Sequence, residues 1–288
     1  MSTEDVSKAI IFVHMFKSGG NTLNRIMDRE YNPLRIFSVN GRYRYWAYRK
    51  LSEYPPAGLA KIQVFRGHMP FGLHRIIPQP STYITVLRNP VERIISEYVF
   101  GVNYRFHRQH RIIRKMSLEE FLDTLANNNS QTKMIAGFDS SSDLLTLPCG
   151  AGTLELAKAN LRNHFSLVGL SERFAETLAL ARRKFGWRVP AYASSNATPG
   201  RKRAVVSARL REMIADRNSF DVELYQYASE LFEEDIARNY QEVAALLDEV
   251  KRAQLDRGWD TARYSAGSTA LKLFTLALST VRSVRVLH

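Results

Sequence analysis

Cysteine is nearly missing from this chain: Cys149 is the only one in 288 residues. A disulfide framework and a cysteine-built zinc site are therefore both excluded. The lone thiol fits a reducing compartment and reads as a loop or core residue, not a nucleophile. Long apolar runs are missing too, and none reaches the roughly 20 residues that a bilayer span needs. Residues Met1 to Lys8 lack the basic start and apolar core of a signal peptide, so the expectation is a cytoplasmic protein. Acid is short relative to base: 28 Asp and Glu stand against 41 Lys and Arg, a net charge of +13. That excess favours anionic partners, and nucleic acid, acidic glycan, anionic lipid and nucleotide all fit its sign. Hydrophobic residues at 45% and charged residues at 24% are ordinary for a globular domain large enough to bury a full core. No internal repeat or low-complexity block is present.

What is there begins at Ile10. Ile10-Ile11-Phe12-Val13 is short, β-branched or aromatic, and apolar at every position, as a parallel strand buried on both faces should be. His14-Met15-Phe16-Lys17-Ser18-Gly19-Gly20-Asn21-Thr22 follows, and Leu23, Ile26 and Met27 then recur at helical spacing. The pattern is strand, tight turn, helix. Gly19 and Gly20 let the main chain approach a ligand closely. The helix start nearby offers N–H groups and a positive dipole end, Lys17 adds a full charge, and Ser18, Asn21 and Thr22 add short donors. Together they make a cradle for a phosphate or sulfate. The Walker A form GxxxxGK(S/T) is absent, because the lysine precedes the glycines.

The same unit recurs. Ile62 to Phe65 reads as a strand leading into Arg66-Gly67-His68. Thr82 to Leu87 reads as another, leading into Arg88-Asn89-Pro90 and a helix to about Asn103, with proline suited to its first turn. Strand–helix alternation predicts an α/β fold, a three-layer α/β/α sandwich on a central parallel sheet with additional C-terminal helices. Ligands of such sheets collect at the carboxyl ends of the strands, so the loops at His14, Arg66 and Arg88 should converge. Further along, Pro55 to Gly58 reads as a turn, Asn127 to Gln131 as a polar linker and Thr132 to Ala136 as a short helix. Phe165 to Leu170 reads as a strand, Ser171 to Phe185 as a helix capped by Ser171, and Val206 to Arg217 and Val222 to about Gln254 as helices. Glu92 and Arg93 read as a surface pair on the helix after Pro90. Basic and aromatic residues alternate from Tyr43 to Leu51, which suits nucleic acid, sugar or a solvated helix face. The tract from Tyr104 to Lys115 is basic without an acid: a lid, an acceptor edge or a solvated helix end. The tail from Gly258 to His288 carries apolar and basic residues without acids after Asp260, and suits peripheral membrane contact, a partner or plain packing.

His14 to Leu23 resembles the 5′-phosphosulfate loop of sulfotransferases, with Phe16 in place of the usual proline and Asn21 in place of a usual threonine. The resemblance is strongest to the carbohydrate branch that includes the heparan-sulfate 2-O-sulfotransferases and many bacterial relatives. Val86-Leu87-Arg88-Asn89-Pro90-Val91-Glu92-Arg93-Ile94-Ile95-Ser96-Glu97-Tyr98 is similar to that family's 3′-phosphate motif. Phe65 to His68 looks like the segment supplying its catalytic base, and Leu167 to Phe174 and Asn218 to Phe232 match later recurrent stretches. The likeness runs from Ile10 to Phe232. Animal members are Golgi proteins with a membrane anchor; this chain looks like a bacterial-type soluble enzyme.

The resemblance implies a P-loop nucleotide-kinase-like sulfotransferase fold, and the chain reads as a single domain over residues 1–257 with a helical tail over 258–288. It implies 3′-phosphoadenosine 5′-phosphosulfate as sulfonate donor, an acceptor hydroxyl on a carbohydrate, no metal and no nucleic-acid partner. Lys17 would stabilise the leaving phosphate and His68 would act as general base. Ser18, Gly19, Gly20, Asn21 and Thr22 would hold the 5′-phosphate, Arg88 and Ser96 the 3′-phosphate, and Arg201, Lys202 and Arg203 would form a basic loop onto it. His14 reads as a support residue. Two other classes stay open at the level of sequence: a nucleotide-kinase-like phosphotransferase, and a non-catalytic basic protein that binds acidic glycan or nucleic acid.

Overall fold

A computed structural model describes residues 8–39, 51, 54–105, 109–124, 128–137, 148–188 and 206–255. The Tyr43 to Leu51 segment apart from Leu51, the loop Arg201 to Arg203 and the tail from 258 lie outside the described residues, as does the middle of the basic tract.

Strands β1 (Ala9–Val13), β2 (Ile36–Val39), β3 (Val64–Gly67), β4 (Ser81–Leu87) and β5 (Phe165–Leu170) form one sheet in the order β2-β3-β1-β4-β5. Every pairing is parallel. The three-layer expectation holds because the strands are apolar on both faces. Ile11 and Val13 of β1 pack into one core while Ile10 and Phe12 pack into the other. The first core is closed by α6 (Ser130–Ala136), α7 (Ala151–His164) and α10 (Ser219–Arg238); the second by α1 (Gly20–Glu30), α8 (Phe174–Phe185) and α11 (Tyr240–Leu255). A third cluster joins α3 (Pro90–Asn103), α4 (His110–Ile113), α5 (Leu118–Thr124) and α9 (Ala208–Arg217) around Ile94, Ile113, Phe121 and Ile214. Among the described residues no helix is long and apolar enough to cross a membrane.

Several local readings are corrected. Pro55 to Gly58 is not a bare turn: Pro56–Leu59 forms one turn of helix, α2. β3 begins two residues later than read, because its register is fixed by pairing Val64 with Ile10 and Gly67 with Val13. Ser171 does not cap α8. Its N–H donates to Leu87 O at 2.8 Å and prolongs the strand pairing, so the helix starts at Phe174. The long late helix is two, broken at Asn239. Glu92 and Arg93 do not pair, since neighbours on a helix point about 100° apart. Arg93 turns inward at 1% exposure and bonds Glu97 at 3.0 Å, while Glu92 takes Arg211 at 2.9 Å.

Candidate active site at the carboxyl ends of the strands

Register decides where the site lies. Val13 at the end of β1 sits beside Gly67 of β3 and Thr85 of β4, and Thr85 Oγ1 donates to Val13 O at 3.0 Å. The loops after these strands therefore leave the sheet side by side.

The β1 loop turns on two left-handed residues. Lys17 has φ of +61° and Gly19 has φ of +81°. Gly19 suffers no penalty there; Lys17 does, and a non-glycine held so is a mark of local over-determination. α1 then starts at Gly20, and Gly19 carries no capping side chain. Thr22 N–H donates to Gly19 O at 2.9 Å, and the start of α1, with its positive dipole end, lies at the carboxyl end of β1. Ser18 is buried and its hydroxyl donates to Phe16 O at 3.3 Å; Thr22 is buried and Asn21 is exposed. Gly20 is compulsory for a packing reason: a Cβ there would lie 2.1 Å from His14 Cδ2.

The β3 loop brings His68 onto the same spot. Its Nδ1 is 2.7 Å from the carbonyl oxygen of His14. A carbonyl only accepts, so Nδ1 carries a hydrogen, and in the neutral ring the lone pair is then on Nε2. The ring lies flat on Phe16, centroids 3.8 Å apart at 11°, and Phe16 directly precedes Lys17. The His14 ring lies beside that of His68, centroids 4.4 Å apart and tilted by 31°. Burial, then the charges of His68 and Arg66, push His14 down to about 3, so it is a neutral packing group. Arg66 is tied into the scaffold, with bonds of 2.6 Å to Asp28, 2.7 Å to Asn24 O and 2.9 Å to Ser38.

The β4 loop supplies Arg88. Its Nη1 donates to the carbonyl of Lys17 at 2.8 Å, joining two positions 71 residues apart. Asn89 caps α3 by accepting from the N–H groups of Val91 and Glu92, with Pro90 at the first helical position. The Lys17 ammonium lies 4.0 Å over the ring of Phe100. Ser96 is one turn before Phe100, so it shares the α3 face turned towards the Lys17 loop. The β5 loop closes the set: Phe174 and Ser171 stand against Gly19, and Glu172 accepts from Asn89 N–H at 3.0 Å and from Tyr225 at 2.9 Å.

Lys17, His68, Arg88 and the first turn of α1 are thus brought together, with Ser96 on the adjoining helix face. Arg201, Lys202 and Arg203 lie outside the described residues. Sequence reasoning missed Gln131. It read the residue as linker, whereas it is in α6, buried, and hydrogen-bonded on both sides to the main chain of Arg88. The only signal was a polar run next to a short helix. Cys149 is half-buried and burial pushes its thiol up to about 11, against use as a nucleophile. Among the described residues no three His, Cys, Asp or Glu side chains gather as a metal site.

The profile described as galactose-3-O-sulfotransferase matches residues 3–258. The chain belongs to this sulfotransferase family. The chain is also similar to heparan-sulfate 6-O-sulfotransferase 2 of Danio rerio, 27% identical over 80% of this chain and 61% of that protein. Human heparan-sulfate 6-O-sulfotransferase 3 is 28% identical over 78% of this chain and 57% of its own length. Human galactose-3-O-sulfotransferase 3 is 28% identical over 61% of this chain and 43% of its own length. The chain therefore spans about six-tenths or less of the length of these sulfotransferases. Their names are those of 6-O and 3-O enzymes, not of the 2-O branch singled out by the loop resemblance.

Proposed function

We propose that the chain transfers a sulfonate group from 3′-phosphoadenosine 5′-phosphosulfate to a hydroxyl on a carbohydrate. The observation that carries this reading is the bond between Arg88 and the Lys17 carbonyl, because it joins the two motifs assigned to opposite ends of one bisphosphorylated nucleotide. The site residues fit such a ligand. An uncapped α1 N-terminus and Lys17 suit the 5′-phosphate, and the guanidinium fork of Arg88 with Ser96 suits the 3′-phosphate. The family match over 3–258 supports treating residues 1–257 as the catalytic unit and 258–288 as an addition to it.

In this reading His68 Nε2 accepts the proton of the acceptor hydroxyl while its oxygen attacks sulfur. The S–O bond to the 5′-phosphate breaks in line, and the Lys17 ammonium meets the charge that develops on the departing phosphate oxygen. The Nδ1 bond to His14 O supports the role of His68, since it holds the ring and places the lone pair of the neutral form on Nε2.

A sulfonate-transfer assay over a panel of carbohydrate acceptors, with bisphosphate release as readout, tests the proposal. Lys17→Ala should lower turnover by about 10²-fold or more, as loss of a charge-stabilising donor does. His68→Ala should lower it by about 10²–10⁴-fold while leaving titrated affinity for 3′-phosphoadenosine 5′-phosphate within about twofold. Undiminished transfer in either variant would remove that residue from the mechanism.

A further inference from the structure

Arg88 stands between the end of β4 at Leu87 and the start of α3 at Pro90. Gln131 bonds its main chain there on both sides. The Arg88 N–H donates to Gln131 Oε1 at 3.0 Å, and Gln131 Nε2 donates back to Arg88 O at 2.9 Å. A side-chain amide can do this because it carries a donor and an acceptor on one plane.

Gln131 is anchored in turn. It is 1% exposed, and its own N–H donates to Asp221 Oδ2 at 3.2 Å. The N–H and hydroxyl of Thr132 donate to Asp221 Oδ1 at 2.7 and 2.8 Å. Asp221 N–H donates to Asn129 Oδ1 at 3.0 Å, and Asn129 N–H to Asn218 Oδ1 at 3.1 Å. Asp221 is fully buried, which pushes its carboxyl up; the Arg93 guanidinium is first among the groups that oppose this push. The chain of bonds thus runs from the buried α6–α10 junction to the main chain of Arg88. From there its guanidinium reaches the Lys17 carbonyl.

We propose that Gln131 is a positioning residue that aims the Arg88 guanidinium and so sets selectivity for nucleotides bearing a 3′-phosphate. The proposal rests on the reading of Arg88 as the 3′-phosphate ligand given above. An arginine with an ungripped main chain can rotate at φ and ψ, and its head then sweeps an arc far larger than a phosphate oxygen. Without Gln131, two main-chain groups lose their partners and turn towards water. AMP serves as the internal control: it retains the 5′-phosphate for the Lys17 loop and offers Arg88 nothing to hold.

Calorimetric titration of the full chain with 3′-phosphoadenosine 5′-phosphate and with AMP tests this. The wild-type protein should favour the bisphosphate by at least about tenfold, the worth of one charge-assisted contact. Gln131→Met keeps the side-chain length and removes both polar atoms. It should bind the bisphosphate about tenfold more weakly and AMP within about threefold of wild type, so that the preference collapses. A folded Gln131→Met protein that keeps the preference, or that loses both nucleotides alike as a merely structural residue would, overturns the proposal. Thr132→Val serves if the first variant does not fold. It removes one donor to Asp221 and leaves the amide of Gln131 in place; a preference lowered about two- to fivefold supports the proposal and an unchanged one overturns it. A wild-type protein indifferent to the 3′-phosphate overturns the assignment of Arg88 itself, and Gln131's role with it.

Discussion

At the residue scale the candidate base is defined by its neighbours. His68 has one nitrogen bonded to the main chain, its ring stacked on Phe16 and tilted against the ring of His14. His14 is the support residue that the sequence suggested, and the structure gives the reason: its carbonyl fixes the tautomer and its neutral ring fills the space under His68. That neutrality has a thermodynamic signature. Folding lowers the affinity of His14 for a proton from the ordinary 6.5 to about 3. Between those values the unfolded chain carries a proton that the folded chain excludes. Stability from this group is therefore full above pH 6.5 and falls as pH drops towards 3, with a limiting slope of about 1.4 kcal/mol per pH unit. His14→Phe keeps a ring and removes the titration. Thermal melts from pH 7 to pH 4 should show a shallower acid loss in that variant than in wild type. Some slope should persist from His74, whose affinity is lowered by burial, His164 and Arg75 in the same direction. Equal slopes in the two proteins would contradict the burial of a neutral His14.

At the element scale, close approach between backbone and side chain holds the layers in place. Gly169 in β5 faces Thr177 of α8, whose hydroxyl accepts from Leu170 N–H at 3.0 Å. A Cβ at Gly169 would lie 2.2 Å from Thr177 Cγ2. Gly169→Ala should therefore lower stability by about 1–3 kcal/mol, as overpacking does, readable as a lower midpoint in urea at unchanged m-value. A midpoint equal to wild type would mean that α8 can stand off the sheet. The elements also show what was legible beforehand. β1, β4 and β5 could be placed from short runs rich in apolar and β-branched residues, and the start of α3 from Pro90. α6 could not. Its seven residues are all buried, yet Ser130, Gln131, Thr132 and Lys133 are polar, so hydrophobic periodicity gives no sign of burial. The polar groups of Gln131 and Thr132 are satisfied by Arg88 and Asp221, residues about 40 to 90 positions away.

At the scale of the whole molecule, one ligand should tighten the entire fold. The β1 and β4 loops meet only through tertiary contacts, and a nucleotide bridging Lys17 and Arg88 binds the native state alone. At 100 times its dissociation constant, 3′-phosphoadenosine 5′-phosphate should add about 2.7 kcal/mol to unfolding. Differential scanning fluorimetry should show a clear rise in Tm for the bisphosphate and a smaller one for ADP or ATP. An equal or larger rise with ADP would favour the phosphotransferase class over the sulfotransferase reading. The charge excess acts at this scale as well. Pairs such as Arg182–Glu249 join the outer helices, but pairs open to solvent contribute little to stability.

The sequence by itself determined the layers and the family. Apolar runs two faces deep compel a buried parallel sheet, and the lysine–glycine loop with the Arg88 motif carries a chemical signature in the residues themselves. Only the tertiary structure decided that Phe16 and His14 frame His68, that Arg93 points inward, and that Gln131 grips Arg88. The physical reason is that local patterns report periodicity and charge along the chain. A hydrogen-bond partner is chosen by strand register and helix packing, which bring together groups that no spacing in the chain records.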